Sequence, residues 1–228
     1  MGKTIRRSGP KAISVRSIAE RLKQDIIKGA LQPNQRMIED DLAKRFAVSR
    51  TPIREAMRTL ESVGYVTFTP HRGWKVKEIS VDEVQEVNFI RANLAAASTE
   101  LACLKQAASD LAALEKICSV MIRVASLGNV GEYFSLNVKF HRLISKVAGN
   151  KTLGGMIASL DERTLRYRFL ALSLPGRLAE SLGEHMRILA AFKKGDPDEA
   201  AKAAKQSALR SGSLLMEHLL RHNGMIRV

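Results

Sequence analysis

The chain has 228 residues, enough for two modest domains, and 45% of them are hydrophobic, enough to fill their cores. Lysine and arginine outnumber aspartate and glutamate 37 to 23, a formal charge of +14 that points to a polyanionic partner and to salt-sensitive binding. No apolar run is long enough to span a bilayer, the N-terminus lacks the apolar core of a signal peptide, and Cys103 and Cys118 lack metal-ligand spacing and read as reduced, buried thiols, so a cytoplasmic protein is expected.

Residues 1–13 carry Lys3, Arg6, Arg7 and Lys11 and no acid. They read as a flexible basic tail, either an arm for a polyanion or a solvated end. Ser17-Ile-Ala-Glu20 has the form of a capping box and predicts a first helix running to about Gly29. A loop over 30–35 leads to the most informative stretch, Glu39 to Leu60, which reads as two short helices joined by a tight turn. Leu42, Ala43 and Phe46 give the first of these an apolar side, and Ala47-Val48 makes the turn. Ser49 or Thr51 caps the second, and Pro52 falls in its first turn, where a missing N–H costs nothing. Ile53, Ala56, Met57 and Leu60 form its buried side, which leaves Arg50, Arg54 and Arg58 facing outward. In a helix-turn-helix the early residues of the second helix meet base edges, and arginine is the commonest reader of guanine. The competing reading is an ordinary helical hairpin with a solvated basic face.

Gly64 is placed to end that helix in a left-handed residue. The segments 65–69 and 74–78 then alternate as half-buried strands, with Pro70-His-Arg-Gly73 as the turn between them. This predicts a β-hairpin wing in which Trp74 belongs to the core, Arg72 reaches DNA and Gly73 allows close backbone approach. Residues 14–79 are thus expected to form a winged helix-turn-helix. From the capping box Ser80-Val-Asp-Glu83 onward the pattern is helical, with helices over 82–106, 109–127, 131–147, 153–173, 178–194 and 197–222. Short connections between them predict an antiparallel bundle over 80–228, so the fold class is mainly α. Arg163, Arg166, Tyr167 and Arg168 form a polar group on the fourth bundle helix, read as a mostly solvated face with one arginine turned inward.

The strings Gly29-Ala-Leu-Gln-Pro33, Glu39-x-x-Leu-Ala43 and Val48-Ser-Arg-Thr-Pro-Ile-Arg-Glu-Ala56, with Leu60, Gly64 and Arg72-Gly73, resemble the GntR superfamily of bacterial transcriptional regulators. Arg91, Phe140-His141, Gly149-Asn150, Glu184-His185 and Gly195-Asp196 extend the resemblance to the FadR-like branch with an all-helical FCD domain, over roughly residues 14 to 215. The resemblance implies that Ser49, Arg50, Thr51 and Arg54 touch operator bases and phosphates, with Arg72 and Gly73 at the wing tip. It implies a homodimer on a palindromic double-stranded operator and a small organic acid as effector, often beside a divalent metal. The chain departs from the family's ion site. His141 and His185 stand at two ligand positions, whereas the aspartate position holds Asn137 and the last histidine position aligns with Ala208. A metal is therefore expected to be absent or weakly held. His218 and His222 share a helix face, but they read as a solvated helix end rather than a replacement site.

The expected effector set is Arg91, Asn137, His141 and His185. Arg91 either meets a ligand carboxylate, pairs with a structural acid or is solvated. No acid follows it in Asn93-Leu-Ala-Ala96, which leaves it freer for a ligand. His141 and His185 are otherwise hydrogen-bonded core residues. The resulting expectation is a sequence-specific regulator acting as a repressor, with no enzymatic role, no membrane partner and no certain cofactor. The alternatives are a metal-dependent helical-bundle enzyme with a DNA-binding head, and a nonspecific architectural DNA-binding protein. Against the first, two histidines are too few for a catalytic ion, and no nucleophile–base pair or Gly-rich phosphate loop occurs.

Overall fold

The computed structural model of the chain describes residues 13–221. In chain order the first part is α1 (Val15–Ile27), β1 (Arg36–Met37), α2 (Glu39–Phe46), α3 (Arg50–Ser62), β2 (Val66–Thr69) and β3 (Gly73–Val76). The second is helical: α4 (Val81–Lys105), α5 (Ala108–Ser126), α6 (Val130–Ala148), α7 (Lys151–Ser173), α8 (Arg177–Lys194) and α9 (Pro197–Arg221). A winged helix-turn-helix thus precedes an antiparallel helical bundle. None of the described helices is long and apolar enough to cross a membrane.

Three surfaces make the core of the N-terminal unit. Ile18, Leu22 and Ile26 of α1 recur at helical spacing and meet Ile53, Met57 and Leu60 of α3, with Phe46, Trp74 and Val76 filling the space between. The start of α1 lies earlier than Ser17. Ser14 is the cap, its Oγ accepting from Ser17 N at 3.2 Å, and Glu20 turns to Lys23 at 2.9 Å. Ile18 explains the shift: it is fully buried, and Val15 packs against the same core one turn earlier, so the helix begins at Val15. Ser49 stands at the cap position of α3 but makes no side-chain capping bond. Between α2 and α3, Ala47 adopts a left-handed conformation at φ 52°, and Val48 N donates to Ala43 O at 3.0 Å. The sheet holds one strand more than the hairpin. Its order is β1-β3-β2, antiparallel, with Met37 opposite Trp74 and Phe68 opposite Trp74 on the other side.

In the bundle, Leu114, Cys118 and Met121 of α5, Tyr133, Phe140 and Ile144 of α6, and Ile188 and Phe192 of α8 form the main core. The helix ends obey the expected signals. Ser80 Oγ accepts from Glu83 N at 3.4 Å, Asn150 Oδ1 accepts from Leu153 N at 3.0 Å, and Asp196 Oδ1 accepts from Glu199 N at 3.0 Å. The end expected at His222 lies outside the described residues, as do residues 1–12 of the basic tail. Helix α9 lies along α4, and at their contact a Cβ on Gly212 would collide with the side-chain amide of Asn88.

Helix α7 belongs to both parts. Leu165 and Phe169 pack into the N-terminal core, while Leu170 and Ala171 pack with Leu215 and Leu219 of α9. Polar ties accompany the packing. Tyr65 Oη donates to Glu162 O at 2.7 Å, Lys23 Nζ lies 2.7 Å from Glu162, and buried Arg166 donates to Lys77 O at 2.5 Å. The head is therefore anchored to the bundle chiefly through one helix.

Candidate functional site

The exposed face of α3 is the first candidate. Its apolar side is buried, so Ser49, Arg50, Thr51, Arg54 and Arg58 are all exposed. Two of the arginines meet acids from the first turn of α2. Arg50 Nη2 donates to Asp40 at 2.8 Å, and Arg54 Nε donates to Glu39 at 2.7 Å. Glu39 also accepts from the indole of Trp74 at 3.2 Å, so one carboxylate ties α2, α3 and β3. The two guanidinium side chains remain 61% and 60% exposed, and ion pairs this open are worth about 0–1 kcal/mol, so a phosphate or a guanine edge can replace the acid. Beside this face, the wing tip carries exposed His71 and Arg72, with Gly73 at φ 75°. Trp74 is core, 4% exposed, and its ring lies 4.9 Å from that of Phe68.

The second candidate lies among α4, α6, α7 and α8. His185 is 1% exposed. Its Nδ1 lies 2.6 Å from Ser181 O, a carbonyl that can only accept, so Nδ1 carries the proton. Nε2 then accepts from Asn137 Nδ2 at 3.3 Å. Asn137 Oδ1 in turn accepts from Arg168 Nη2 at 2.6 Å, and Arg168 Nη1 donates to Asp161 Oδ1 at 3.0 Å. Arg91 Nε is 3.6 Å from the same Asp161 oxygen. His141 is partly buried, and its ring centroid is 5.2 Å from that of His185. Below them Arg177 makes a bidentate pair with Glu184 at 2.8 and 2.7 Å, and Ser207 donates to Glu184 at 2.7 Å.

Burial fixes the charge states. It lowers the His185 pKa to about 4, and it holds His141 well below its ordinary value with the help of His185, Arg168 and Arg91. Both rings are neutral at pH 7. Burial, and then the neighbouring Arg168, bring Arg91 down to about 10, which leaves it charged.

The structure thus brings Arg91, Asn137, His141 and His185 together. It corrects two expectations. Arg91 is not left free by the missing acid on its own helix, because Asp161 reaches it from α7. Nor is the polar group on α7 mostly solvated: Arg166 and Arg168 are each 5% exposed, and only Arg163 lies largely in solvent. The sequence pattern does not assign Arg168, Asp161 or Arg177 to this site, and its only cue is the density of arginines over 163–168. The space directly over Arg168 and His141 is about 20 Å³, room for one water, while a cavity of about 200 Å³ opens beside His141 and Asp161 between α6 and α7.

The residues do not fit a divalent ion. Asn137 has no charge and its oxygen already receives a guanidinium, the acceptor nitrogen of His185 is engaged by Asn137, and Ala208 presents a buried methyl at the rim. Among the described residues no cluster of three or more His, Cys, Asp or Glu side chains is placed to hold a metal. His222, the second half of the C-terminal pair, lies outside the described residues.

Similarity to known proteins respects the same division. Residues 14–76 match the model of bacterial regulatory proteins of the gntR family, and residues 86–209 match that of the FCD domain. The chain is 32% identical over 199 residues to YdhC, an HTH-type transcriptional regulator of Bacillus subtilis, covering 87% of each. It is 27% identical over 185 residues to the HTH-type transcriptional repressor RspR of Escherichia coli, covering 81% of each. The solved structure of McbR/YncC from E. coli superposes with a TM-score of 0.75 at 26% identity, over 90% of this chain and 97% of that one.

Proposed function

The chain belongs to the gntR family of bacterial regulatory proteins, with an FCD domain behind its winged head, and is a DNA-binding transcriptional regulator rather than an enzyme; on that premise we propose a cytoplasmic, homodimeric repressor whose affinity for a palindromic operator is set by a small organic acid. The observation that carries the reading is the outward row of Arg50, Arg54 and Arg58 beside a basic wing tip. In this reading Arg50 and Arg54 exchange their acids on α2 for base edges, Ser49 and Thr51 offer hydroxyls to phosphate, and Arg58, Arg72 and Gly73 meet the flanking backbone. Two heads held by a dimer fit half-sites at a fixed separation. The acid sits among Arg91, Asn137, His141 and His185. The one-water space above Arg168 has to widen to admit an acid; α7 supplies Arg168 to its lining, and Glu162, Leu165 and Arg166 of the same helix hold the head, so in this reading a shift of α7 lets ligand and operator act on one element.

Selection of bound duplexes from a random-sequence library tests this reading. A palindromic consensus is expected. Equal affinity for consensus and random duplex at physiological salt would instead favour a nonspecific architectural protein. Arg54→Ala is expected to cost on the order of 1–3 kcal/mol on the consensus if it reads a base, and to flatten the preference at one position per half-site. A loss spread evenly over all duplexes would place Arg54 on phosphate.

A further inference from the structure

We infer that Arg168 is the resident cation of the helical-domain pocket, and that the pocket takes a singly charged carboxylate directly on guanidinium groups with no divalent ion. The inference rests on the reading of this pocket as the effector site and specifies its chemistry.

Three observations carry it. Arg168 is 6% exposed at its side chain and holds Asn137 Oδ1 at 2.6 Å, the oxygen through which that residue would ligate an ion. Arg168 is also oriented from its other nitrogen by Asp161 at 3.0 Å, so its position is fixed from two sides. Asn137 Oδ1 is taken by Arg168 and His185 Nε2 by Asn137, so freeing both atoms for a metal breaks two hydrogen bonds beside a guanidinium that would remain and repel it.

The charge of the pocket points the same way. Arg91 and Arg168 face Asp161, while Arg177 faces Glu184 and, at 3.6 Å, the exposed Glu180. Both histidines are neutral. Glu184 is taken up by the bidentate pair with Arg177, so the surplus positive charge falls on Arg91 and Arg168, which share one aspartate. A further dication adds to that surplus, whereas one carboxylate cancels it. A planar guanidinium matches a carboxylate with two parallel hydrogen bonds. A dicarboxylate overshoots and leaves a buried negative charge.

The test uses the full-length protein, with butyrate and succinate as probes of one and two negative charges. Metal content is measured by elemental analysis, and acid binding by calorimetry in the presence of a chelator. The expected result is substoichiometric zinc, manganese and nickel, a melting temperature indifferent to chelation, and butyrate binding at least about tenfold tighter than succinate. Arg168→Met is expected to weaken butyrate about tenfold or more, and Arg168→Lys to weaken it less. Asn137→Asp combined with Arg168→Met and Ala208→His is expected to gain a zinc-dependent rise in melting temperature that chelation reverses. Stoichiometric metal in the wild type whose removal lowers the melting temperature, tighter binding of succinate, or no binding of butyrate overturns the inference. If Arg168→Met does not fold, the wild-type metal content and Arg168→Lys still decide it. Operator binding, followed by fluorescence anisotropy, keeps the two proposals apart. Butyrate that binds without metal but leaves operator affinity unchanged defeats effector control alone; an operator response that chelation abolishes defeats metal independence alone.

Discussion

Ala47 is a residue whose conformation conflicts with its chemistry. At φ 52° its Cβ crowds the backbone, a strain of about 1 kcal/mol that glycine does not suffer. Ala47→Gly is expected to raise stability by about 0.5–1 kcal/mol, read as a higher urea midpoint with an unchanged slope. His185 links stability to pH. Its pKa is about 4 when folded against 6.5 in the free side chain, so between those values the unfolded chain binds the extra proton. Stability is then fully present above about 6.5 and declines as pH falls toward 4, by on the order of 3 kcal/mol if His185 acts alone. Urea midpoints measured across that window check the slope, and His185→Gln is expected to flatten it. Single residues were legible where the local pattern set their direction. Arg50, Arg54 and Arg58 face outward because four buried residues on the same helix force them to. Asp161 was not legible as the partner of Arg91, because the two meet only through the packing of α4 on α7.

Among the elements, α4 and α9 pack along one another, and Asn88 occupies the space beside Gly212. Gly212→Val sends its side chain into Asn88 and is expected to cost on the order of 1–3 kcal/mol, of which Asn88→Ala restores part; thermal unfolding of the single and double variants measures both. The ends of α6 and α8 were readable from stop signals: Gly149 and Gly195 adopt left-handed conformations at φ 63° and 65°, and Asn150 and Asp196 cap α7 and α9 directly after them. Strand β1 was not readable, since two residues cannot display an alternation. The character of α7 escaped for another reason. It is buried on several sides against different partners, so it carries no single apolar stripe, and Arg166 and Arg168 are buried by neighbours rather than announced by pattern.

For the whole molecule, the proposed effector control needs a route from a pocket in one half to a head in the other. Tyr65 and Arg166 are ties between them, so Tyr65→Phe with Arg166→Met is expected to leave operator binding and acid binding individually intact while reducing the effect of one on the other. Paired titrations, operator with and without acid, measure that coupling; an unchanged ratio would place the route elsewhere. The halves were each legible from periodicity and caps, but their docking was not, because it depends on contacts such as Lys23 with Glu162 that no local window contains. The arrangement around Glu39 has an optical consequence. The chain has one tryptophan, and its indole N–H shares that carboxylate with Arg54. If DNA draws the guanidinium away, as proposed, the electric field along the indole is expected to change, and the protein's own ultraviolet emission would then report engagement of the recognition helix without any attached dye.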